Sequence, residues 1–329
     1  MEITKIYKPN EIDQAAKELQ LGELIAFPTE TVYGLGADAE NEKAVQRVFM
    51  AKGRPADNPL NVTVCSVKMV EKYVGHINEW GQKLITAYWP GPLTLIFKII
   101  PGSLPQVVTG GLETAAFRMP ANQVTLDLIK KAGFAIVGPS ANLSGKPSST
   151  TAAHVLHDMD GKIAGVVDDG PTNMGVESTI IDLSGKRPKI LRPGVVTQQQ
   201  IEKTLGMKVL IALPQTSAQT KYHHYTPDAQ VLMVRDNEWT KVFEWINSQN
   251  EPVGIMATHQ VLKNAPNKSI KFDLGKDVIT ASHEFFAGIR ELDNHYHVKW
   301  IIAQTFATEG LGETYMNRLE KASNGQYLL

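Results

Sequence analysis

The sequence predicts an α/β protein of two domains, the first a curved mixed sheet and the second a small parallel one. Three observations carry this. The chain has 329 residues, and a single hydrophobic core stops growing at roughly 250–300 residues. Up to residue 206, helical periodicities are interleaved with short apolar runs, some alternating with polar residues and some continuous. A sheet with both half-buried and fully buried strands is mixed rather than doubly wound. From residue 229 strands and helices alternate regularly, the pattern of a parallel α/β unit.

The elements follow in order. Asn10 is placed to cap a helix through about Leu21, with Ile12, Ala15, Ala16 and Leu19 on one face and Gly22 as its stop. Glu23–Phe27 reads as a strand ended by Pro28. Asn41 caps a second helix, NEKAVQRVFMA, with Ala44, Val45, Val48 and Phe49 inward. Asn61–Cys65 is a short β-rich run, and Val67–Val74 and Ile77–Tyr88 are helical. Leu93–Ile100 and Ala115–Arg118 are strands, Val124–Ala132 a helix, and Phe134–Val137 and Gly165–Asp168 buried strands. Ser178–Asp182 and Lys189–Arg192 are short strands before a closing helix, Val195–Leu205. Residues 207–228, MKVLIALPQTSAQTKYHHYTPD, contain no clear periodic element and read as a linker, because Pro214–Thr220 is rich in Ser, Thr, Gln and Pro. Beyond it come strands Gln230–Val234, Val253–Ala257, Ile270–Leu274 and Trp300–Phe306, and helices Glu238–Asn247, His283–His295 and Glu313–Ala322. The expected domains are therefore 1–206 and 229–329, joined by 207–228.

Composition narrows the function classes. With 43% apolar and 20% charged residues the chain is globular in type, and a formal net charge of −1 provides no global field for a polyanion or an anionic membrane. Phosphate recognition must then be local. Cys65 is the only cysteine, which excludes an internal disulfide and the paired-cysteine metal and redox signatures. The N-terminal residues hold no apolar core of signal-peptide length, and runs such as Leu93–Phe97 fall far short of the ~20 residues a membrane span needs. A soluble cytoplasmic protein is expected.

Most residues that carry chemistry lie before residue 195, at strand ends, where ligands sit in α/β sheets. In FPTETVYGLGAD, residues 27–38, Thr29, Glu30 and Thr31 follow a strand and precede Gly34 and Gly36, so hydroxyls and close-approaching backbone meet. An ordinary turn with a satisfied threonine pair gives the same pattern. Gly34-x-Gly36 lacks the third glycine of a dinucleotide fingerprint. In KGRPADNPL, residues 52–60, Lys52 and Arg54 flank a glycine, a point charge beside a planar fork suited to phosphate or carboxylate. Cations at a helix C-terminus are also what the helix dipole favours. Arg118, between Phe117 and Met119, needs a partner if buried, which a structural carboxylate would also provide. GPSANLSGKPSST, residues 138–150, gathers Ser140, Asn142, Ser144, Ser148 and Ser149 in one loop of exposed backbone N–H groups. It is not a Walker loop, since Ser140 and Pro147 stand where Gly and Ser or Thr are needed. Ser178 in GVESTIIDL and Arg192 in ILRPG are weak alone.

HExxH, zinc-type cysteine spacing and the G-x-S-x-G elbow are all missing from the sequence. His223 and His224, adjacent in the linker, do not make a metal site. Cations, hydroxyls and flexible backbone remain, which is equipment for positioning a polyphosphate rather than for covalent catalysis.

Taken in order, FPTETVYGLG, KGRP…NPL, the Lys52/Arg54 pair, Ser140 and Asn142 in PSANLSG, ESTIIDL, LRPG and HHYTP resemble the YrdC-like family in its long two-domain form. The resemblance is strong to about residue 206. It implies a twisted sheet curved around a basic cavity, plus a small Rossmann-like α/β C-terminal domain. It also implies an activity: formation of threonylcarbamoyl-AMP and pyrophosphate from L-threonine, bicarbonate or CO₂, and ATP with Mg²⁺. A separate transferase complex would then modify tRNA, which this chain meets only indirectly. The implied catalytic residues are Lys52, Arg54, Ser140 and Asn142. ATP would contact these four with Asn58 and Ser148, and Thr114, Arg192 and Tyr225 on the nucleotide side, the linker around Tyr225 acting as a lid. Thr31, Thr63, Arg118 and Ser178 would hold threonine, Arg118 pairing its carboxylate. Two rival readings of the same cavity are an RNA-binding or ribosome-associated module and a carbamoyl transferase.

Overall fold

The computed structural model describes residues 3–212 and 225–329, and the chain divides into two compact units. The first is Met1–Ser144, Ser149–Asn173 and Glu177–Lys221; the second is Gly145–Ser148, Met174–Val176 and Tyr222–Leu329.

The first unit is built on strands β1 (Lys5–Tyr7), β2 (Ile25–Phe27), β3 (Gly34–Asp38), β4 (Asn61–Thr63), β5 (Leu93–Lys98), β6 (Thr114–Arg118), β7 (Ile136–Val137), β8 (Gly165–Val167), β9 (Thr179–Asp182), β10 (Lys189–Arg192) and β11 (Leu210–Ile211). They form one sheet in the order β1-β8-β2-β3-β7-β4-β6-β5-β9-β10-β11. Parallel pairs such as β4–β6 and β5–β9 alternate with antiparallel ones such as β2–β3 and β5–β6, so the sheet is mixed as expected. Its centre is covered on both faces. Along β2, Ile25 and Phe27 enter one core with the helices Ile12–Gln20 and Gln123–Ala132, while Leu24 and Ala26 enter the other with Val45, Val48 and Phe49. That is the two-residue alternation of a strand, and each such fully buried side chain is worth ~1.5–3 kcal/mol.

Capping side chains set the helix starts, at Glu42 as the sequence predicts, at Gln123 one residue before the expected Val124, and at Gln198 three residues after the expected Val195. Asn41 accepts from Ala44 N at 3.2 Å, Asn122 from Thr125 N at 2.9 Å and Thr197 from Gln200 N at 3.3 Å. The first helix differs. Asn10 lies inside a 3-10 turn, Pro9–Glu11, where Pro9 fixes the entry and Glu11 accepts from Lys8 N at 2.8 Å. The helix proper is Ile12–Gln20, and its inward residues are the four expected. The segment after Glu30 also departs from the loop reading, because its second half is β3. Gly34 is paired with Phe27, and a Cβ there would stand 2.4 Å from the Phe27 ring. The glycines that suggested a loop are what let this strand lie against an aromatic side chain. A helix not anticipated in the sequence, Ala152–Met159, begins at Thr151, which accepts from His154 N at 3.2 Å.

Within the segment read as a linker, Leu210–Ile211 forms the short strand β11, paired parallel with β10. Residues 213–224, which include His223 and His224, lie outside the described residues.

The second unit holds β12 (Gln230–Val234), β13 (Val253–Ala257), β14 (Ile270–Asp273) and β15 (Trp300–Gln304), all parallel, in the order β12-β15-β13-β14. Val234, Val242, Ile246, Ile255 and Ile302 build its core. The helix expected from His283 begins at Val278, since Asp277 accepts from Ile279 N and Thr280 N, and it runs on into a wider turn at Glu291–His295. Arg290, buried at its end, donates to the carbonyls of Pro147 and Ser148. Among the described residues no helix is long and apolar enough to cross a membrane.

Candidate active site

Parallel β4 and β6 set Thr63 opposite Arg118, so both side chains leave the sheet on the same face. Arg118 is buried and its guanidinium is fixed from several directions. Nε donates to Gly91 O at 3.2 Å, Nη1 donates to Thr31 Oγ1 at 2.7 Å, and Nη2 lies 2.8 Å from Glu30 Oε2. Thr31 Oγ1 is 2.9 Å from Thr29 Oγ1, and Thr29 Oγ1 donates to Val32 O at 2.6 Å. A hydroxyl has one proton to give, so Thr31 must be the donor to Thr29. One directed chain therefore runs from Arg118 through Thr31 and Thr29 to the Val32 carbonyl.

A cavity opens beside this chain, lined by Thr29, Tyr33, Thr63, Arg118, Gly138 and Ser140 among others. A Cβ on Gly138 would stand 2.2 Å from Thr63 Oγ1, so bare backbone is required at that wall. Tyr33 is fully buried and donates to Gly170 O at 2.7 Å. Burial, reinforced by the Asp168 carboxylate, pushes its phenol well above the usual tyrosine range.

The second cluster centres on Lys52, the last residue of the helix Glu42–Lys52 and buried. Its ammonium donates to the carbonyls of Ser140 and Asn142, the latter at 2.6 Å, and its own carbonyl accepts from Ser144 N at 2.8 Å. One residue thus holds the serine loop at three alternate positions, Ser140, Asn142 and Ser144. Asp158 Oδ2 accepts from Leu143 N at 3.0 Å, Ser149 Oγ donates to Ala141 O at 2.8 Å, and Ser140 bridges Gly34. Beyond Gly53, which ends the helix at φ 60°, Arg54 donates to the carbonyls of Asn58 at 3.3 Å and Pro59 at 3.0 Å. Arg54 and Asn58 are thereby locked in one turn.

On the far side of β6, Ser178 Oγ lies 2.8 Å from Thr94 Oγ1, and Arg192 donates to Ser178 O through Nε at 3.1 Å and Nη2 at 2.8 Å. Thr114 opens β6 opposite Lys98; four residues of strand, roughly 13 Å, separate it from Arg118. Ser148 and Tyr225 belong to the second unit, where the Tyr225 backbone has φ 63° and its ring packs 5.1 Å from Phe286.

Residues 17–194 match the Sua5, YciO and YrdC family model, described as telomere recombination, and residues 196–324 match the model described as threonylcarbamoyl-AMP synthase, C-terminal domain. The threonylcarbamoyl-AMP synthase of Bacillus subtilis is 40% identical, over 97% of this chain and 94% of its own. That of Pyrococcus abyssi is 42% identical, over 94% and 93%.

The chain belongs to the threonylcarbamoyl-AMP synthase family.

The solved structure of P. abyssi Sua5 complexed with L-threonine superposes with a TM-score of 0.91 at 39% identity, covering 98% of this chain and 99% of that one. Escherichia coli YciO, at 20% identity and a TM-score of 0.54 over 59% of this chain, shares the fold. This synthase is accordingly an ATP-using enzyme that makes threonylcarbamoyl-AMP, the activated intermediate of tRNA threonylcarbamoylation.

The geometry brings Thr63, Arg118 and Ser140 of the synthase to one cavity edge, bonds Thr31 to Arg118, joins Lys52 to Ser140 and Asn142, and joins Ser178 to Arg192. Glu30 is the residue to which the sequence assigned no role. Arg118 was expected to need a partner, and Glu30 was visible in its motif, but 88 positions separate the two. Nothing in local pattern joins them; only the fold does.

Proposed function

We propose that the two clusters divide the substrates of the synthase between them. L-Threonine is held by Thr31, Thr63, Arg118 and Ser178, its carboxylate on Arg118. ATP lies toward Lys52, Arg54, Asn58, Ser140 and Asn142, with Thr114 and Arg192 on the nucleotide side. The observation that carries this reading is the cavity edge where Arg118, opposite Thr63 and 2.7 Å from Thr31, adjoins Ser140 of the loop held by Lys52. A fork for a carboxylate and a cation-braced loop for phosphates stand side by side.

In the reaction so arranged, the threonine amine bonds to the carbon of CO₂, giving a carbamate and releasing a proton. A carbamate oxygen then attacks the α-phosphorus while the bond to pyrophosphate breaks. The protein's part is to align the two molecules and to stabilise the charge that gathers on the phosphates. Lys52, Arg54, Ser140 and Asn142 serve that end. Among the described residues no cluster of three His, Cys, Asp or Glu side chains is placed to hold a metal. Mg²⁺ enters with ATP, on whose phosphate oxygens it is commonly bound. The adenylate passes to a separate transferase complex, so this chain meets tRNA only indirectly, and the reaction is cytoplasmic.

The test is incubation with ATP, Mg²⁺, L-threonine and bicarbonate. Threonylcarbamoyl-AMP should be detected by mass spectrometry, with pyrophosphate release that stops when threonine is omitted. Release indifferent to threonine would refute the substrate assignment.

A further inference from the structure

Glu30 is 4% exposed, and neither of its carboxylate oxygens accepts a hydrogen bond from a described residue. The charge beside it is Arg118, whose Nη2 lies 2.8 Å from Oε2. Close as they are, the two groups are not aligned as donor and acceptor, for Nη2 also lacks a hydrogen-bond partner among the described residues. A buried ion pair repays its desolvation only when the remaining lone pairs and protons are satisfied. Here the charges compensate and the hydrogen bonds do not. Such a group in a native fold calls for a completing partner.

The chemistry of that partner follows from what is already committed. Arg118 gives Nε to Gly91 and Nη1 to Thr31, and a guanidinium has five N–H groups. A carboxylate reaching the cavity therefore still finds donors on it. That anion takes over the positive charge that Glu30 now shares, and two carboxylates on one buried cation leave an uncompensated negative charge. The site regains neutrality only if the same molecule brings a cation to Glu30. An α-amino acid does so, with its ammonium and carboxylate on one carbon. Thr29 and Thr31 cannot replace Glu30 as the anionic acceptor, because their hydroxyls are neutral and their protons are spent along the chain to Val32.

We propose that Glu30 receives the α-ammonium of the amino-acid substrate, exchanging the guanidinium of Arg118 for it when the substrate carboxylate engages Arg118. The inference rests on the reading of Arg118 as the carboxylate receptor. It makes the pocket select a zwitterion. The Glu30–Arg118 pair is neutral when empty and stays neutral with an amino acid bound. An acid lacking the amine strands Glu30, and an amine lacking the acid strands Arg118.

Calorimetric titration of the full chain with L-threonine and with 3-hydroxybutanoate, which is threonine without its amine, tests this. The wild type should bind threonine and bind the analogue about 30-fold or more weakly, the scale of an unpaired buried charge. In Glu30→Gln threonine should weaken by about the same factor, while the analogue should bind more tightly than to the wild type. A counter-ion that only orients Arg118 predicts that both ligands weaken together. That result, or unchanged threonine affinity, overturns the proposal. Should Glu30→Gln not fold, Glu30→Asp keeps the charge beside Arg118 but withdraws it by one methylene. It should weaken threonine several-fold with no gain for the analogue, and unchanged threonine affinity there also overturns the proposal. Arg118→Lys separates the two levels. If it retains threonine affinity, the carboxylate reading fails and the inference with it. If it loses threonine while the Glu30 variants keep wild-type selectivity, the inference alone fails.

Discussion

Arg118 and Lys52 are both buried cations near one cavity, yet they are satisfied in opposite ways. Arg118 faces side chains, the Glu30 carboxylate and the Thr31 hydroxyl, with only Nε on a backbone carbonyl. Lys52 is committed to the carbonyls of Ser140 and Asn142. A side-chain counter-ion can turn away and be replaced by a ligand; carbonyls of a braced loop cannot leave unless the loop moves. The difference separates a receptor from a brace. Arg118 is arranged to trade partners, whereas Lys52 shapes the loop that must meet the phosphates and lends it positive charge.

Removing the brace gives the sharpest test of that distinction and the largest expected effect. Lys52→Met fills the same space but leaves two loop carbonyls without their donor. We expect a loss of roughly 10³-fold in kcat/KM, at the upper end for deleting one charge-stabilising donor. A stability loss of about 2–4 kcal/mol should accompany it, from two charge-assisted hydrogen bonds. Threonine-dependent pyrophosphate release and urea denaturation measure the two. A stable Lys52→Met protein with low activity would mean that the lysine acts on phosphate alone and braces nothing.

Arg118→Lys should separate the regions from the other side. The cation beside Glu30 survives, but the planar fork is gone, and with it the paired bonds to Gly91 O and Thr31 Oγ1, so stability should fall by about 1–3 kcal/mol. Threonine KM should rise about 10²-fold, with the KM for ATP nearly unchanged. A matching rise in both constants would merge the two clusters into one.

Much of this was readable in advance. The strand at Glu23–Phe27, the Asn41 cap and the five-residue strands Gln230–Val234 and Val253–Ala257 were each legible, because apolar runs and capping are local. Most candidate residues also lay in a motif, while Thr63 and Thr114 came only with the resemblance. What stayed hidden was relational. β3 was obscured by glycines whose purpose is contact with Phe27. The helix Ala152–Met159, whose Asp158 supports the serine loop, was overshadowed by the loop's own composition. The Glu30–Arg118 pair exists only because β2 and β6 are brought together in a sheet that also places β3, β7 and β4 between them.

A smaller effect is expected within the Arg118 region. Thr31→Val keeps shape but interrupts the chain from Arg118 to Val32, leaving Nη1 without that acceptor and Thr29 without that donor. The loss should be about tenfold in threonine KM, near the 1.4 kcal/mol of one hydrogen bond. Lys52 and its loop take no part in that chain, so ATP binding should be unaffected.

The smallest effect at neutral pH concerns Tyr33 at the cavity wall. Its phenol is raised above the ordinary tyrosine value of about 10 by burial and by Asp168. A group whose folded pKa is raised stabilises the fold fully below the unfolded pKa and loses that contribution as pH rises beyond it. Tyr33→Phe should cost about 1 kcal/mol at pH 8, through the lost bond to Gly170 O. Above pH ~10 the wild type must keep Tyr33 protonated against solution demand, and phenylalanine has nothing to titrate. The stability gap between the two proteins should therefore narrow as pH climbs from 10, and denaturant titrations at pH 8, 10 and 11 would follow it. A gap that stays constant over that range would mean the buried wall admits water enough for the phenol to ionise as it does in the unfolded chain, and the cavity would then be far wetter than its lining implies.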